Sequence, residues 1–594
     1  MKKFIAVLIV FSLFICRSQA QNGNWYDEDG GLIFPGFGTK HNPYEISSAS
    51  ALTFLADQVN RTSGKSFEGS YFVLTDDIDL SEHYWIPIGG DPLRPFRGYF
   101  NGNGKTIYNL YVRSTEIKSY PASGLFGYIG NGAIIENLNL EGGEVAGCND
   151  QEISRTGALA GYLLCSVAGG VDSILIRNCH NRNVVVTGGK TDYSNTGGLI
   201  GEGYAFCDSD GEVLIRIEDC SNEGMVSAST SNFPYTGGII GKGRGHGYCF
   251  GSISAHGTLL IRSCINRGMI VGGKTSGVDA VSSTGGIFGF GYASGDGYGD
   301  SDGSGVFTIE RCSNTGSVKG GEATGEAHTY TGGLFGYGDG YGYGDTSGSN
   351  ESSETGHGYG SGIFTINSCM NRGAVAGGEA QDPETVASTG GIFGFASGSG
   401  AGNKQGQGYA YGSFMMVNCY SYADISAAKG YIGGLGGWIA TSGNGPNYVI
   451  TAIVQDCYVA GTINADISET ETITGGIIGR IHRSDDANKD PHIDRCLAAL
   501  SYIKGTPERT FRIAGQLLDV DSSAGVLTDN YAYVQEGQWN KRRVRQNGLD
   551  WSKAMAELPV SDWNTSERAW VIDRRSEYLP RLRYIAHQSN IPVP

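Results

Sequence analysis

Residues 261–270 read Ile261-Arg262-Ser263-Cys264-Ile265-Asn266-Arg267-Gly268-Met269-Ile270, an aliphatic residue three places before a cysteine and another six places after it. The first spacing recurs at Ile176/Cys179, Ile217/Cys220, Ile309/Cys312, Ile366/Cys369, Met416/Cys419, Val454/Cys457 and Ile493/Cys496. Val185, Val226, Val318, Val375, Ile425 and Ile463 stand at the later position, and only the last repeat departs, with Tyr502. Successive cysteines lie 38 to 57 residues apart. Repetition on that scale marks one supersecondary unit stacked on itself, because a single unit cannot bury its own apolar face.

Between the cysteine segments a second string recurs: Thr-Gly-Gly-Leu-Ile-Gly at 196–201, with close copies at 236–241, 284–289, 331–336, 389–394 and 474–479. Each copy reads as a short apolar strand closed by glycine, the cysteine segment as a second strand and the later aliphatic as a third. Side chains three apart face opposite sides of a straight strand. The aliphatic and the cysteine therefore both point inward only if the chain bends between them. Asn178, Asp219, Asn418 and Asp456 sit at that place, and Asn and Asp tolerate a left-handed conformation. Asn181, Asn222, Asn266, Asn314 and Asn371, two residues after their cysteines, are placed to stack as a side-chain ladder. Helix-length amphipathic stretches are missing between the strands, which excludes an ordinary βαβ arrangement. The expectation is an all-β chain, a parallel β-helix with protruding loops.

The Thr-Gly-Gly-Leu-Phe-Gly string at 331–336, with the paired Cys-x-Asn-x-Gly-x-Val segment, resembles the bacterial GLUG-motif repeat family of secreted and surface proteins. The approach to the repeats is similar too: Asn42-Pro43-Tyr44-Glu45-Ile46, Leu74-Thr75-Asp76-Asp77-Ile78-Asp79-Leu80 and Gly98-Tyr99-Phe100-Asn101-Gly102-Asn103-Gly104. The resemblance covers about residues 36 to 586. It implies a right-handed β-helix at a bacterial surface, often in adhesins. Such repeats also accompany the catalytic unit of immunoglobulin-cleaving metallopeptidases.

Residues 1–20 have the form of a secretory signal peptide: Lys2 and Lys3, an apolar run from Phe4 to Ile15 broken by Ser12, and Ser18-Gln19-Ala20 at the cleavage site. Cys16 follows Ile15, which is bulkier than a lipidation site prefers. Residues 21–38 read as a linker, 39–155 as an N-terminal cap and first coils, 156–500 as the repeats, and 501–594 as a final coil and irregular cap. The cap begins with a helix near Ser50 to Asn60, where Leu52, Leu55, Ala56 and Val59 lie at helical spacing. No later apolar stretch has membrane length, so no membrane span is expected. Loss of Lys2, Lys3 and Arg17 takes the formal charge from −17 to −20, a balance that argues against nucleic acid and anionic lipid as partners. The address these features imply is secretion or the outer cell surface.

Secretion permits disulfides. The repeated cysteines nevertheless occupy one site in every repeat, as a buried small hydrophobe does, and read as a ladder of free thiols. Cys207 and Cys249, in corresponding loops, are candidates for a bond. Zinc would need tight Cys-x-x-Cys or Cys/His spacing, which is missing.

The chemistry-bearing strings lack their contexts. Gly268 to Thr275 spells a phosphate loop, but falls on a strand of the repeat with no helix following. None of the ten histidines forms His-Glu-x-x-His. Gly299-Asp300-Ser301-Asp302-Gly303 matches a nucleophile elbow without the strand-to-helix turn that exposes the serine. A β-helix polysaccharide hydrolase or lyase would gather carboxylates and basic groups from different coils, with no local motif.

The sequence assigns no catalytic residue and no cofactor. What remains is a set of Tyr/Gly-rich loops after the Thr-Gly-Gly strings: Tyr292, Tyr298, Tyr337, Tyr341 and Tyr343, with Tyr204, Tyr248, Tyr359, Tyr409 and Tyr411 in comparable places. Tyrosine gives broad amphipathic contact at low entropic cost. These side chains either pack on glycines of the neighbouring segment or meet a glycan or a surface protein. Asp208, Asp210, Asp300 and Asp302 recur as Asp-Ser-Asp-Gly and either form solvated turns or hold calcium.

Overall fold

The computed structural model describes residues 34–533, except 114–120, 168, 346–356, 383, 403–407, 446, 467–470, 485–486, 506–508 and 521–525, and three short later strands ending at Leu582. Residues 1–20, most of the linker and the basic cluster Lys541 to Arg543 lie outside the described residues.

The chain is a right-handed parallel β-helix. One coil shows how the sequence makes it. Phe233–Gly237 enters a ten-stranded sheet, Gly238 and Ile239 turn the corner, and Ile240–Phe250 runs in a second ten-stranded sheet. The chain then reverses, and Ser254–Arg262, Ile265–Asn266 and Ile270–Val271 pass through a 29-stranded sheet that folds at Ser263. Coils pair in parallel and in register, for example Ile261 opposite Ile217 and Ile309.

The fold in the large sheet is the expected left-handed residue. Asn178, Asp219, Ser263, Arg311, Ser368, Asn418, Asp456 and Arg495 all have φ between 47° and 55°. Ser and Arg hold this conformation as well as Asn and Asp, against a cost of about 1–2 kcal/mol each, because both neighbouring apolar side chains are then buried: Ile261 and Cys264 are each 0% exposed.

The asparagine ladder is present. Nδ2 of Asn181 donates to Oδ1 of Asn222 at 2.8 Å, Asn222 to Asn266 at 2.8 Å, Asn266 to Asn314 at 2.8 Å and Asn314 to Asn371 at 2.9 Å. The cysteines form the thiol ladder, all twelve described ones being buried and free. Burial holds Cys264 and Cys369 well above the usual thiol range. The bond considered between Cys207 and Cys249 is not formed. Cys207 lies opposite Gly247, so Cys249 is displaced two residues along the neighbouring strand, about 8 Å between Cα atoms and beyond disulfide reach.

Three readings are corrected. The Thr-Gly-Gly strings are corners rather than single strands: Tyr193–Gly197 ends one sheet, Leu199 turns inward, and Ile200–Cys207 begins the next. The Tyr/Gly segments are not loops but long strands, Phe288–Tyr298 and Phe335–Asp345 among them. Finally, the eighth repeat keeps the spacing after a one-residue bulge, since Ile503 stands opposite Ile463 while Tyr502 faces out at 51% exposure.

The expected helix spans Ala49–Asn60 and buries Leu52, Leu55, Ala56 and Val59 against the same core as the first coils. The Ser48 hydroxyl caps it, accepting from the Ala51 amide at 3.2 Å. A coil the cysteine pattern overlooks precedes the ladder, with Leu138 in register with Cys179 and Asn137 at φ 56°. Asn530 closes the other end and accepts from the Cys496 amide at 2.8 Å.

Candidate ligand-binding surface

The core between the second sheet and the large sheet begins as stacked phenylalanines, Phe288 and Phe335 at 5.0 Å with Phe364 across from them. Further out it becomes glycine on both sides. A Cβ on Gly295 would stand 2.1 Å from the Ser361 carbonyl oxygen and 2.3 Å from that of Gly303. The two sheets touch backbone to backbone, forming a thin fin. Alternation then sends every second side chain outward, which is why tyrosine alternates with glycine.

On the outer face of the second sheet, the predicted tyrosines mostly pack on one another. Tyr337 is stacked between Phe290 at 4.6 Å and Phe395 at 5.0 Å, and burial drives its hydroxyl well above the usual phenol range. Tyr292 stacks on Tyr341 at 6.3 Å under the Arg244 guanidinium, 5.7 Å from its ring. Tyr298 and Tyr343 are 5.3 Å apart near the fin tip, and burial pushes the Tyr298 and Tyr341 hydroxyls up to about 12. Packing on aromatic neighbours along the solenoid thus accounts for these side chains.

The polar groups of this face also pair among themselves. Arg155 Nε meets Glu202 Oε2 at 2.5 Å, and Asn195 donates to the same oxygen at 3.0 Å. Burial raises the Glu202 carboxyl, but Arg155 and Lys242 outweigh it and hold it below its ordinary value. Tyr204 Oη is 2.9 Å from His246 Nδ1, and His246 Nε2 is 2.8 Å from Asp296 Oδ2. Asp339 accepts from Ser397 and Ser399, each at 2.8 Å, and burial pushes its carboxyl up to about 6. Carboxylates and bases from different coils do meet here, and they satisfy one another.

The aspartate pairs stay apart. Gly211 is in register with Ala255 and Ala255 with Gly303, so one coil separates the two Asp-Ser-Asp-Gly turns by about 10 Å, too far for one ion. The Asp300 carboxylate accepts from the His357 amide at 2.9 Å, and Asp210 from the Ser254 amide at 3.3 Å. Among the described residues no three His, Cys, Asp or Glu side chains converge as metal ligands.

A row of exposed tyrosines lies on the other face of the fin. Tyr359, Tyr409 and Tyr411 project from Tyr359–Asn367 and Tyr409–Val417 at 47%, 45% and 38% exposure. With Asp302, Tyr448 and Val449 they line a depression of about 480 Å³. Tyr359 and Tyr409 are stacked at 5.4 Å and 10°. Asp302 is the register partner of Tyr359 in the preceding coil, so the ring of Tyr359 not covered by Tyr409 overlooks a carboxylate. The sequence signal was the period-two run Tyr409-Ala410-Tyr411-Gly412. It could not be ranked above the other tyrosines without knowing which columns stack closed.

No family model matches the chain. A segment of 180 residues, 29% of this chain, is 31% identical to a protein of Evansella cellulosilytica provisionally named a Gly-rich membrane protein, and spans 18% of it. A 180-residue segment is also 31% identical to halomucin of Haloquadratum walsbyi, covering 28% of this chain and 2% of that one. Among solved structures, a protein of Bacteroides ovatus provisionally described as an immunoglobulin A1 protease aligns over 69% of this chain and 86% of its own, at 17% identity and TM-score 0.35. An IgA1 protease aligns over 82% and 21%, at 10% identity and TM-score 0.19. The chain spans less than a fifth of either curated relative it matches.

Proposed function

We propose that this chain is a GLUG-type β-helix, secreted or held at the outer cell surface, that binds glycan through the Tyr359/Tyr409/Tyr411 face without turning it over. The observation that carries the reading is a rigid row of exposed tyrosines over a depression with a carboxylate at one end. A sugar ring presents C–H groups to an aromatic face and hydroxyls at its edge. Tyr359 supplies the first partner and Asp302 an acceptor for the second. Strand pairing on both sides fixes the side chains before binding, which lowers the ordering cost. The partial similarity to a Gly-rich membrane protein supports a surface location.

Incubation of residues 21–594 with insoluble polysaccharides tests this. The protein is expected in the pellet with no sugar released to the supernatant, and Tyr359→Ala/Tyr409→Ala is expected to reduce retention at least tenfold. Released oligosaccharide, or undiminished retention of the double variant, would sink the reading.

A further inference from the structure

Several cations on this solenoid are met by a carboxylate from a neighbouring coil: Arg177 by Glu136, Arg262 by Glu218 and Glu310, Arg495 by Asp456. A different arrangement stands at a concave corner after the third strand of the repeats. There Lys190, Lys274 and Lys319 line a depression of about 300 Å³ in which Glu322 is the one acidic side chain. Glu322 is committed to Lys274, Oε2 to Nζ at 2.5 Å. Lys190 and Lys319 form no ion pair among the described residues, and both are exposed. The nearby Asp192 carboxylate is engaged by the Asn232 amide at 3.2 Å.

The floor includes Gly272 and Gly320, which are glycine because a Cβ there would press inward on a threonine hydroxyl, 2.2 Å from Thr284 Oγ1 and 2.1 Å from Thr331 Oγ1. Parallel register holds the walls in place: Thr187 faces Ser227, Ser227 faces Val271, and Val271 faces Lys319. A concavity focuses the field of like charges lining it. Here that field is positive on a chain of net charge −17.

We propose that this corner is a subsite for the anionic groups, carboxylate or sulfate, of an acidic glycan, met along the solenoid by the ammonium groups of Lys190 and Lys319, whose coils lie about 14 Å apart. The inference rests on the glycan-binding reading but not on the tyrosine face. The same residues include Lys274 of the string that spells a phosphate loop. That string falls on the strands Ile270–Val271 and Thr275–Ser276 with no helix after it, so the lysine serves as a wall of the depression.

Binding of dextran sulfate, polygalacturonate and uncharged dextran to the wild type, to Lys190→Glu/Lys319→Glu and to Tyr359→Ala/Tyr409→Ala tests it. All four substituted positions are exposed, so both variants are expected to fold, as circular dichroism checks. At least one polyanion is expected to bind tenfold or more tightly than dextran at low salt, with the advantage shrinking as salt rises. The lysine variant should lose that preference and the tyrosine variant keep it. Nonspecific attraction does not mimic this, because the whole chain repels a polyanion. Equal binding of charged and uncharged polymers, or a preference that survives the lysine variant, overturns the subsite. Loss of insoluble-polysaccharide retention in the tyrosine variant is a separate readout, so the two readings fail independently.

Discussion

The side-chain amide of Asn222 donates to that of Asn266 at 2.8 Å, and both residues are 0% exposed. Each ladder asparagine also satisfies its own turn, Asn266 Nδ2 reaching the Gly268 carbonyl at 3.0 Å. One amide therefore ties its coil to two others and closes a corner.

Removing a rung takes one partner from each of two buried groups, leaving Asn222 Nδ2 with the Gly224 carbonyl and Asn314 Oδ1 with the Gly316 amide, and deprives the Gly268 carbonyl of its donor. Asn266→Ala is expected to destabilise the chain by about 2–5 kcal/mol, read as a fall in the denaturant midpoint. A loss below about 0.5 kcal/mol would show that water or relaxation replaces the rung.

The thiol ladder predicts chemical silence. The twelve described cysteines are expected to resist a water-soluble thiol reagent in the native state and to react together on unfolding, since burial keeps the reagent from reaching them. Prompt labelling of the folded chain would contradict the packing.

Gly295 and Gly400 lie on the same face of the second sheet and should respond very unequally to alanine. At Gly295 the new Cβ meets backbone oxygen at 2.1 Å, whereas at Gly400 the nearest atom is 3.3 Å away. Gly295→Ala is expected to cost about 3 kcal/mol or more and Gly400→Ala less than about 1 kcal/mol. Comparable thermal stability of the two variants would refute backbone contact across the fin.

Asp339 predicts a pH dependence. Burial raises its folded value to about 6 from an ordinary 3.8. Between those pH values the native chain holds a proton that the unfolded chain releases, so stability falls as pH rises from about 4 to about 6 and stays lower above that. The effect is at most about 3 kcal/mol. Asp339→Asn should remove this component and be the more stable protein at pH 7. Parallel pH profiles for variant and wild type would dismiss it.

The repeat spacing by itself determined the coil, the left-handed bend before each cysteine and the asparagine ladder, because each depends on residues close in sequence whose pattern is copied coil after coil, and the helical spacing of Leu52, Leu55, Ala56 and Val59 determined the capping helix. Even Tyr502 departs from the rule only by a bulge that returns Ile503 to register. Only the tertiary structure decided that runs such as Gly336 to Asp345 are strands. Alternating glycine has poor strand propensity and reads locally as a loop. It becomes a strand here because the facing sheet stands so close that no side chain fits between them. The same closeness decided the candidate surface. Tyr337 and Tyr359 look alike in sequence, yet one is covered by Phe290 and Phe395 and the other borders Asp302. What covers a tyrosine is set by the coils before and after it, tens of residues away, and no local pattern carries that information.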